Sequence, residues 1–131
     1  EPWPESKFQD ELLAELRRDP QIAGALEVHP HAAGGITDLS FRGIRIELKV
    51  ESKKTLVLAD CDQYLPQTAS YVVASGKRIG ILSVLDSSPK AQAPFAAEDG
   101  LALSIVQTEK SPVCIFVLLI HGNLALPSAL S

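Results

Sequence analysis

Cysteine and long apolar runs are both scarce in this chain of 131 residues. The two cysteines, Cys61 and Cys114, are too few for a disulfide framework, and their spacing matches no zinc site built from cysteine pairs. The longest apolar run, residues 113–120, is eight residues long, whereas a membrane helix needs about 20. The sequence therefore predicts a cytoplasmic protein with reduced thiols and no membrane span.

Repeats, low-complexity tracts and a signal peptide are also absent from the sequence. Hydrophobic residues make up 46% of the chain and charged residues 21%, which excludes disordered, collagen-like and coiled-coil proteins. The linker-like segment 87–94 is too short to separate two domains. We therefore expect residues 1–131 to form a single domain, and we expect that domain to belong to a larger protein because the sequence opens without a methionine.

Charge is distributed unevenly along the chain. The net charge of −4 argues against a protein that coats nucleic acid without specificity. Basic residues nevertheless outnumber acidic residues by three between Arg42 and Arg78, which is consistent with a solvated face of mixed charge or with a local anionic partner. Lys53 and Lys54 are candidates for phosphate contacts, as an alternative to ordinary exposed lysines. Lys77 and Arg78 are candidates for the same role.

The spacing of apolar residues predicts an order of secondary-structure elements. The predicted elements are a helix over 6–18 that Pro20 closes, strands over 25–28, 36–41 and 44–50, a helix over 66–74, and buried strands over 79–85 and 113–120. Residues 101–106 fit either a helix or a strand. Segment 79–85 is apolar on both faces, which predicts a central position in the sheet. This order predicts a mixed sheet with helices packed on it.

The most informative segment is a predicted hairpin. Residues 36–41 and 44–50 both alternate with period two, and the two residues between them are the right length for a tight turn. A two-residue turn sets a register in which the numbers of paired residues sum to 85, so that Asp38 lies opposite Glu47. Asp38, Glu47 and Lys49 then share one face. The other face is apolar and carries Leu39, Phe41, Ile44, Ile46 and Leu48.

Two carboxylates and a lysine on adjacent strands are the parts of a metal-dependent phosphodiesterase site. Mg²⁺ takes oxygen ligands and keeps several waters. The metal stabilises charge on a phosphoryl group and activates a water, while the lysine adds a positive donor beside it. The alternative is a surface strand on which alternating charges form cross-strand ion pairs. That strand would carry Arg45, Glu47, Lys49 and Glu51.

The order of these residues resembles the PD-(D/E)xK motif of the restriction-endonuclease-like nuclease superfamily. Asp38 precedes the hairpin and Glu47-Leu48-Lys49 lies on its return strand, with Thr37 where that motif usually has proline. The stretch 5–12 is similar to the superfamily's opening helix, and the sequence Gln67-Thr68-Ala69-Ser70-Tyr71 matches a Q-x-x-x-Y element. That element occurs in the branch that includes the bacterial recombination helicase-nucleases. The resemblance covers residues 5–86.

The resemblance implies a fold and a metal site. The fold is α/β, a restriction-endonuclease-like mixed β-sheet flanked by helices with an αβββαβ core. Asp38 and Glu47 would bind Mg²⁺, or Mn²⁺ in its place, and the backbone carbonyl of Leu48 would be a third contributor. Glu5, which helical spacing projects into the apolar stripe of its own helix, would reach the metal directly or through water. Glu11 is the alternative to Glu5 in this role.

The resemblance also implies roles for the remaining polar residues. Lys49 would orient the attacking water or stabilise the transition state. Gln67 and Tyr71 would lie beside the site, where they order Lys49 or touch the nucleic-acid backbone. The four flanking cations would bind DNA phosphates: Lys53, Lys54, Lys77 and Arg78.

The sequence therefore predicts a Mg²⁺-dependent deoxyribonuclease, acting as an endonuclease on DNA. A homodimer is compatible with the resemblance, because two sites can cut two strands, and so is fusion to or recruitment by other domains. Two alternatives remain open. One is a non-catalytic domain of the same fold that binds nucleic acid or protein. The other is a small interaction domain whose hairpin charges are surface pairs and bind no metal.

Overall fold

Six strands and two short helices make up the described part of the chain. The computed structural model of the protein describes residues 14, 17–30 and 37–122. Its elements are α1 (Pro20–Ala23), β1 (Leu26–Pro30), β2 (Thr37–Phe41), β3 (Ile44–Glu51), α2 (Leu65–Ala74), β4 (Ile79–Asp86), β5 (Leu101–Gln107) and β6 (Pro112–His121), with 3-10 helices at Leu58–Tyr64 and Ala97–Gly100. The predicted mixed α/β class is confirmed. Within the described residues, no helix is long and apolar enough to cross a membrane.

The strands form one mixed sheet in the order β1-β2-β3-β4-β6-β5. The first three strands are antiparallel neighbours, whereas β3, β4 and β6 run parallel to one another and β5 is antiparallel to β6. Parallel neighbours need a crossover, and α2 provides it between β3 and β4. The carboxyl ends of β3, β4 and β6 therefore meet at the same edge of the sheet.

The β2–β3 hairpin has the predicted two-residue turn. Arg42 and Gly43 have φ angles of 52° and 79°, both in the left-handed region that a type I′ turn requires. All three β2–β3 pairs have residue numbers that sum to 85, from Phe41 opposite Ile44 to Leu39 opposite Ile46. The predicted register is confirmed for these pairs. The ladder ends one step before Asp38 and Glu47, so their direct pairing stays a prediction.

The two faces of the sheet differ in what covers them. We call the face that carries α2 the helix face and the opposite face the far face. One row of paired residues lies on the helix face across β3, β4, β6 and β5: Glu47, Leu82, Val117 and Ala102. The adjacent row lies on the far face: Ile46, Ile81, Phe116 and Leu103. The helix-face core includes Ala69 and Val72 of α2, and a separate far-face core includes Leu39, Ile46, Leu48 and Leu85.

The close approach of α2 to the sheet depends on one glycine. A Cβ atom at Gly80 of β4 would lie 2.3 Å from Cγ2 of Val72, a distance that Cβ contacts do not reach. Glycine therefore lets the buried Val72 side chain rest directly on the strand. This contact seats α2 over the amino-terminal half of β4, next to the β3 residues of the predicted site.

Several sequence predictions need correction. Pro20 begins α1, a short helix that the sequence did not predict, because proline suits the first helical position and Asp19 Oδ1 accepts a hydrogen bond from the Gln21 N–H at 2.9 Å. Residues 101–107 form a strand. Strand β6 is buried on one face only, and Phe116 is 53% exposed. The segment predicted as linker-like begins with the buried Ser87 and Ser88.

Two further predictions have different outcomes. The predicted helix over 6–18 lies mostly outside the described residues, and Ala14, which is described, is helical. The second predicted helix is confirmed as α2, which begins at Leu65 after a 3-10 helix and has proline in its first turn.

Candidate active site

Strand β3 places Glu47 and Lys49 on the helix face, two residues apart. Glu47 pairs with Leu82 and Lys49 pairs with Val84 on the neighbouring strand. The Glu47 side chain is 13% exposed, and Lys49 is half-buried. Leu48 between them is buried in the far-face core, so its backbone carbonyl is the polar group it can offer to a ligand. The acid and the base of the predicted motif therefore share one face beside α2.

A chain of contacts links α2 to this part of β3. Gln67 Nε2 donates a hydrogen bond to Tyr71 Oη at 3.0 Å along one side of α2. The guanidinium carbon of Arg45 lies 4.7 Å from the centroid of the Tyr71 ring, within the range of a cation–π interaction. An Arg45 guanidinium nitrogen lies 3.7 Å from Glu47 Oε2. Gln67 and Tyr71 are thus joined to the predicted site through Arg45. Their predicted role in ordering Lys49 stays a prediction.

Arg45 is the residue of this link that the sequence did not single out. The alternation of charge on β3 placed it in a set of surface ion pairs. A signal for its role was available, because Arg45, Glu47 and Lys49 have the spacing of one strand face. Its position above an aromatic ring could not be predicted, because that contact depends on how α2 packs on the sheet.

The acidic partners of Glu47 are described only in part. Glu5 and Glu11 lie outside the described residues, and of Asp38 the structure describes the backbone. Asp38 pairs with His29 of β1. It directly precedes Leu39, which is the β2 residue farthest from the turn that still pairs with β3. Glu47 directly follows Ile46, the partner of Leu39. The backbone therefore brings Asp38 and Glu47 to neighbouring positions on the two strands.

A metal site at this position would have to draw on these carboxylates. The side chains that the structure describes contain no group of three or more His, Cys, Asp or Glu residues that could hold a metal ion. Glu47 contributes one carboxylate, and its ion pair with Arg45 means that a bound cation would share or displace the guanidinium. Oxygen donors of this kind suit Mg²⁺, so the donor chemistry fits even though the set needs Asp38 or Glu5 to be complete.

The four flanking cations do not lie together. Lys53 and Lys54 follow the carboxyl end of β3, and Lys77 and Arg78 precede the amino end of β4. Because these two strands are parallel, the two pairs lie at opposite ends of the sheet, about 26 Å apart along eight strand residues. All four residues are exposed. A single ligand would contact both pairs only if it ran along the strands.

A second polar cluster, which the sequence analysis missed, lies at the carboxyl ends of β4 and β6. Asp86 is the last residue of β4 and is fully buried on the helix face. Its Oδ2 accepts the backbone N–H of Leu56 at 2.7 Å, and its Oδ1 accepts the backbone N–H of Ser88 at 2.9 Å and the Ser88 hydroxyl. Three donors from two loops therefore converge on one carboxylate.

Lys90 and His121 complete this cluster. Lys90 Nζ lies 3.0 Å from Asp86 Oδ1 and also donates to the backbone carbonyls of Asp86, Ser88 and Gly122. His121 Nε2 lies 2.8 Å from the Leu56 carbonyl oxygen, which can only accept, so this nitrogen carries the proton. Nε2 is also 3.5 Å from Asp86 Oδ2. All the hydrogen-bond donors of the Lys90 ammonium are therefore used within the protein.

The cluster keeps Asp86 ionised. Burial by itself would raise the pKa of Asp86, but the hydrogen bonds from Ser88, Leu56 and Lys90 outweigh it and hold the pKa below its ordinary value. The group connects the segment after β3, the loop after β4 and the end of β6. We conclude that it is a structural clasp, which from here we call the Asp86 cluster.

Neither cysteine is a nucleophile of the candidate site. Both are free thiols in the structure. Burial, and then the nearby charges of Asp60 and Asp62, raise the pKa of Cys61 to about 11, so this thiol stays protonated and inert at neutral pH. Cys114 lies on β6 and faces away from α2.

Comparisons with protein families, curated proteins and solved structures give no match to this chain. The function is therefore inferred from the residues and geometry of the protein itself.

Proposed function

We propose that this protein is a Mg²⁺-dependent deoxyribonuclease of the restriction-endonuclease-like fold that cuts DNA as an endonuclease. The observation that carries the proposal is the placement of Glu47 and Lys49 on one face of β3, next to the Gln67 and Tyr71 side of α2. If the charges on β3 only formed surface ion pairs, they would not need Gln67 and Tyr71 beside them. The link through Arg45 puts both predicted motifs into one contiguous group.

The topology gives independent support. Three antiparallel strands are followed by the crossover helix α2 and by β4 parallel to β3. This βββαβ order agrees with the corresponding part of the αβββαβ core that the sequence resemblance implies. Strand β6 extends the sheet in parallel and β5 closes it as an antiparallel edge. Cytoplasmic location and fusion to or recruitment by other domains belong to the same proposal.

The residues divide the proposed reaction between them. Asp38 and Glu47 would hold Mg²⁺, with the Leu48 carbonyl and Glu5 as further donors, and the bound ion supplies charge stabilisation and an activated water. The Lys49 ammonium donates to the attacking water or to a phosphoryl oxygen, where negative charge grows in the transition state. Arg45 lies on the other side of Glu47 from Lys49 along β3 and would keep the Glu47 carboxylate in place.

The first experiment asks whether the carboxylates are needed. Supercoiled plasmid, linear duplex, single-stranded DNA and RNA are each incubated with Mg²⁺, Mn²⁺ or EDTA. We expect DNA cleavage with either ion, none with EDTA, and a loss of at least about 100-fold in Asp38→Asn and Glu47→Gln, because each removes a charged ligand without changing size. Glu98→Gln, an exposed carboxylate remote from β3, is the matched control.

Two results would contradict the nuclease assignment. One is full cleavage activity in Glu47→Gln. The other is a wild-type protein that cuts no nucleic acid with either ion. Circular dichroism of each variant checks that the fold is intact.

The second experiment separates Lys49 from the acids. Lys49→Ala should lower the maximal rate at saturating Mg²⁺ while DNA binding is largely kept, because the ammonium acts on charge that develops in the transition state. Lys49→Arg should also be impaired, because a guanidinium places its donors elsewhere. Lys110→Ala, in the turn between β5 and β6, is the control. A loss that more metal rescues completely would refute the catalytic role.

A non-catalytic nucleic-acid-binding domain of the same fold is the second candidate. One observation favours it, namely the ion pair that already engages Glu47 with Arg45. Such a protein would bind DNA equally well with and without Mg²⁺. Titration calorimetry would then show no heat from divalent ions, whereas the nuclease should show weak binding that Asp38→Asn and Glu47→Gln both remove.

A further inference from the structure

Arg45 lies where the candidate metal site meets a group of basic side chains. The turn residue Arg42 lies three residues before it, and Lys77 and Arg78 directly precede β4, the strand parallel to β3. A Cβ atom at Gly43 would lie 3.5 Å from Lys77 Nζ, so the Lys77 ammonium reaches across to the β2–β3 turn. The amino ends of β3 and β4 therefore carry these four basic residues side by side, and we call them the amino-end group.

The amino-end group is open to a ligand from solvent. Arg42, Lys77 and Arg78 are exposed, and none of the three belongs to an ion pair among the described residues. The Arg45 side chain is 29% exposed. Positive side chains gathered in this way raise the local concentration of anions, and a phosphodiester chain offers repeated negative charges that several of them can share.

Arg45 differs from the other members because it also contacts the candidate metal ligand. Its guanidinium nitrogen lies 3.7 Å from Glu47 Oε2, which is longer than the roughly 2.7–2.9 Å of a charge-assisted hydrogen bond. Attraction between the two charges therefore dominates this contact. The Tyr71 ring, 4.7 Å from the guanidinium carbon, holds the guanidinium in one place, and its five N–H donors can serve more than one anion.

The charges around Glu47 oppose a divalent cation in the free protein. Arg45 and Lys49 lie two residues before and two residues after Glu47 on the same face of β3, about 7 Å away along the backbone. A cation bound to Glu47 therefore meets a positive charge on each side. An anion bound to Arg45 would cancel one of these charges and draw the guanidinium away from the carboxylate.

We propose that Arg45 couples the binding of a DNA phosphate to the binding of Mg²⁺. In the free protein the guanidinium neutralises Glu47 and weakens its affinity for the ion. When a phosphate binds at the amino-end group, the guanidinium pairs with the phosphate and Glu47 becomes available to Mg²⁺. Phosphate and metal then strengthen each other's binding by the same factor, because coupling between two ligands is reciprocal. This inference rests on the proposed function and adds an order of events to it.

The other flanking cations cannot provide this coupling. Lys53 and Lys54 follow the carboxyl end of β3, and Glu47 lies between them and Arg45 along the strand. A phosphate held at that end would leave the ion pair between Arg45 and Glu47 intact. The affinity for Mg²⁺ should therefore depend on the charge at Arg45.

Titration calorimetry of the full chain with Mg²⁺ alone tests the first half of the proposal. Arg45→Met removes the charge and keeps a long side chain, so it should bind Mg²⁺ at least about 5-fold more tightly than the wild type. Arg45→Lys keeps the charge and should bind Mg²⁺ about as the wild type does. Lys110→Met is the matched control, because it removes an exposed positive charge from the β5–β6 turn, two strands away from β3.

Dimethyl phosphate tests the second half, because it carries the single negative charge of a phosphodiester without a DNA chain. It should tighten Mg²⁺ binding to the wild type at least about 5-fold relative to sodium chloride at the same ionic strength. It should have no such effect on Arg45→Met. Arg45→Gln takes the place of Arg45→Met if circular dichroism shows that Arg45→Met is not folded.

The outcomes separate this proposal from the proposed function. Mg²⁺ binding that is unchanged or weaker in Arg45→Met would overturn the coupling, because a residue that only positions Glu47 gives that result. A wild type that does not respond to dimethyl phosphate would also overturn it, as would a response that persists in Arg45→Met. In each of these cases, Mg²⁺ binding that Glu47→Gln removes would leave the metal site of the proposed nuclease intact. An absence of Mg²⁺ binding in the wild type and in Arg45→Met alike would contradict both proposals.

Discussion

Two polar groups occupy the helix face four residues apart along β3 and β4, roughly 13 Å, and they differ in solvent access. Asp86 is fully buried and receives hydrogen bonds from Leu56, Ser88 and Lys90. Glu47 keeps 13% of its side chain exposed and lies 3.7 Å from Arg45. Glu51, the partner of Asp86 in the ladder, lies four residues beyond Glu47 along β3.

This difference in solvent access gives the two groups different roles. A buried carboxylate whose oxygens are engaged by the protein has nothing left for a ligand, so it contributes to stability and to the placement of the loops around it. A carboxylate that keeps part of its side chain in solvent can still bind a substrate or an ion. We therefore expect substitutions in the Asp86 cluster to change unfolding, and substitutions at Glu47 or Lys49 to change activity.

The largest expected effect is on stability, in Asp86→Ala. Removal of the carboxylate leaves the Lys90 ammonium buried without its counterion and the Leu56 N–H without an acceptor, which should cost about 3–5 kcal/mol in the free energy of unfolding. Urea unfolding measures the change. Asp62→Ala, an exposed carboxylate in the 3-10 helix, should stay within about 0.5 kcal/mol. A loss below about 1 kcal/mol in Asp86→Ala would mean that the cluster does not hold the fold.

Acid should weaken the Asp86 cluster through the same carboxylate. The pKa of Asp86 is lowered from its ordinary value of 3.8, because hydrogen bonds outweigh the effect of burial, so the unfolded chain binds this proton more readily than the folded chain does. The stabilisation is therefore complete above the ordinary pKa and is lost as pH falls through the lower folded-state value. Unfolding measured from pH 7 down to acid should show this decline. Asp86→Asn, which cannot titrate, should flatten that part of the curve, and a curve identical to the wild type would contradict the assignment.

The two groups also differ in how well the sequence predicts them. The hairpin that carries Glu47 and Lys49 could be predicted because alternation and turn length are local signals, and the register of its three observed pairs is confirmed. The Asp86 cluster had no such signal. Its Leu56 contact spans 30 residues and the His121–Leu56 contact spans 65. Four of the acceptors are main-chain carbonyls that any residue type could supply.

Exposure on the far face was mispredicted for a related reason. The run 113–120 is apolar at every position, which predicts a strand buried on both sides. Periodicity shows which residues share a face, but whether another element covers that face depends on the packing of distant segments. Phe116 is therefore open while Val117, its neighbour in sequence, is buried against α2.

The smallest expected effect on stability is in Tyr71→Phe. This change removes the hydroxyl that accepts the Gln67 hydrogen bond at an exposed site but keeps the ring beneath Arg45, so the free energy of unfolding should fall by less than about 1 kcal/mol. Tyr71→Ala removes the ring as well and releases Arg45 from its cation–π contact, which frees the guanidinium to move relative to Glu47. If the link through Arg45 positions Glu47, the cleavage rate should depend on the Tyr71 ring and not on its hydroxyl. Tyr71→Phe should then keep most of the wild-type rate, and Tyr71→Ala should lower kcat with little change in KM. Equal loss of activity in both variants would instead assign the effect to the hydroxyl, which would place Tyr71 against the nucleic acid and not behind Arg45.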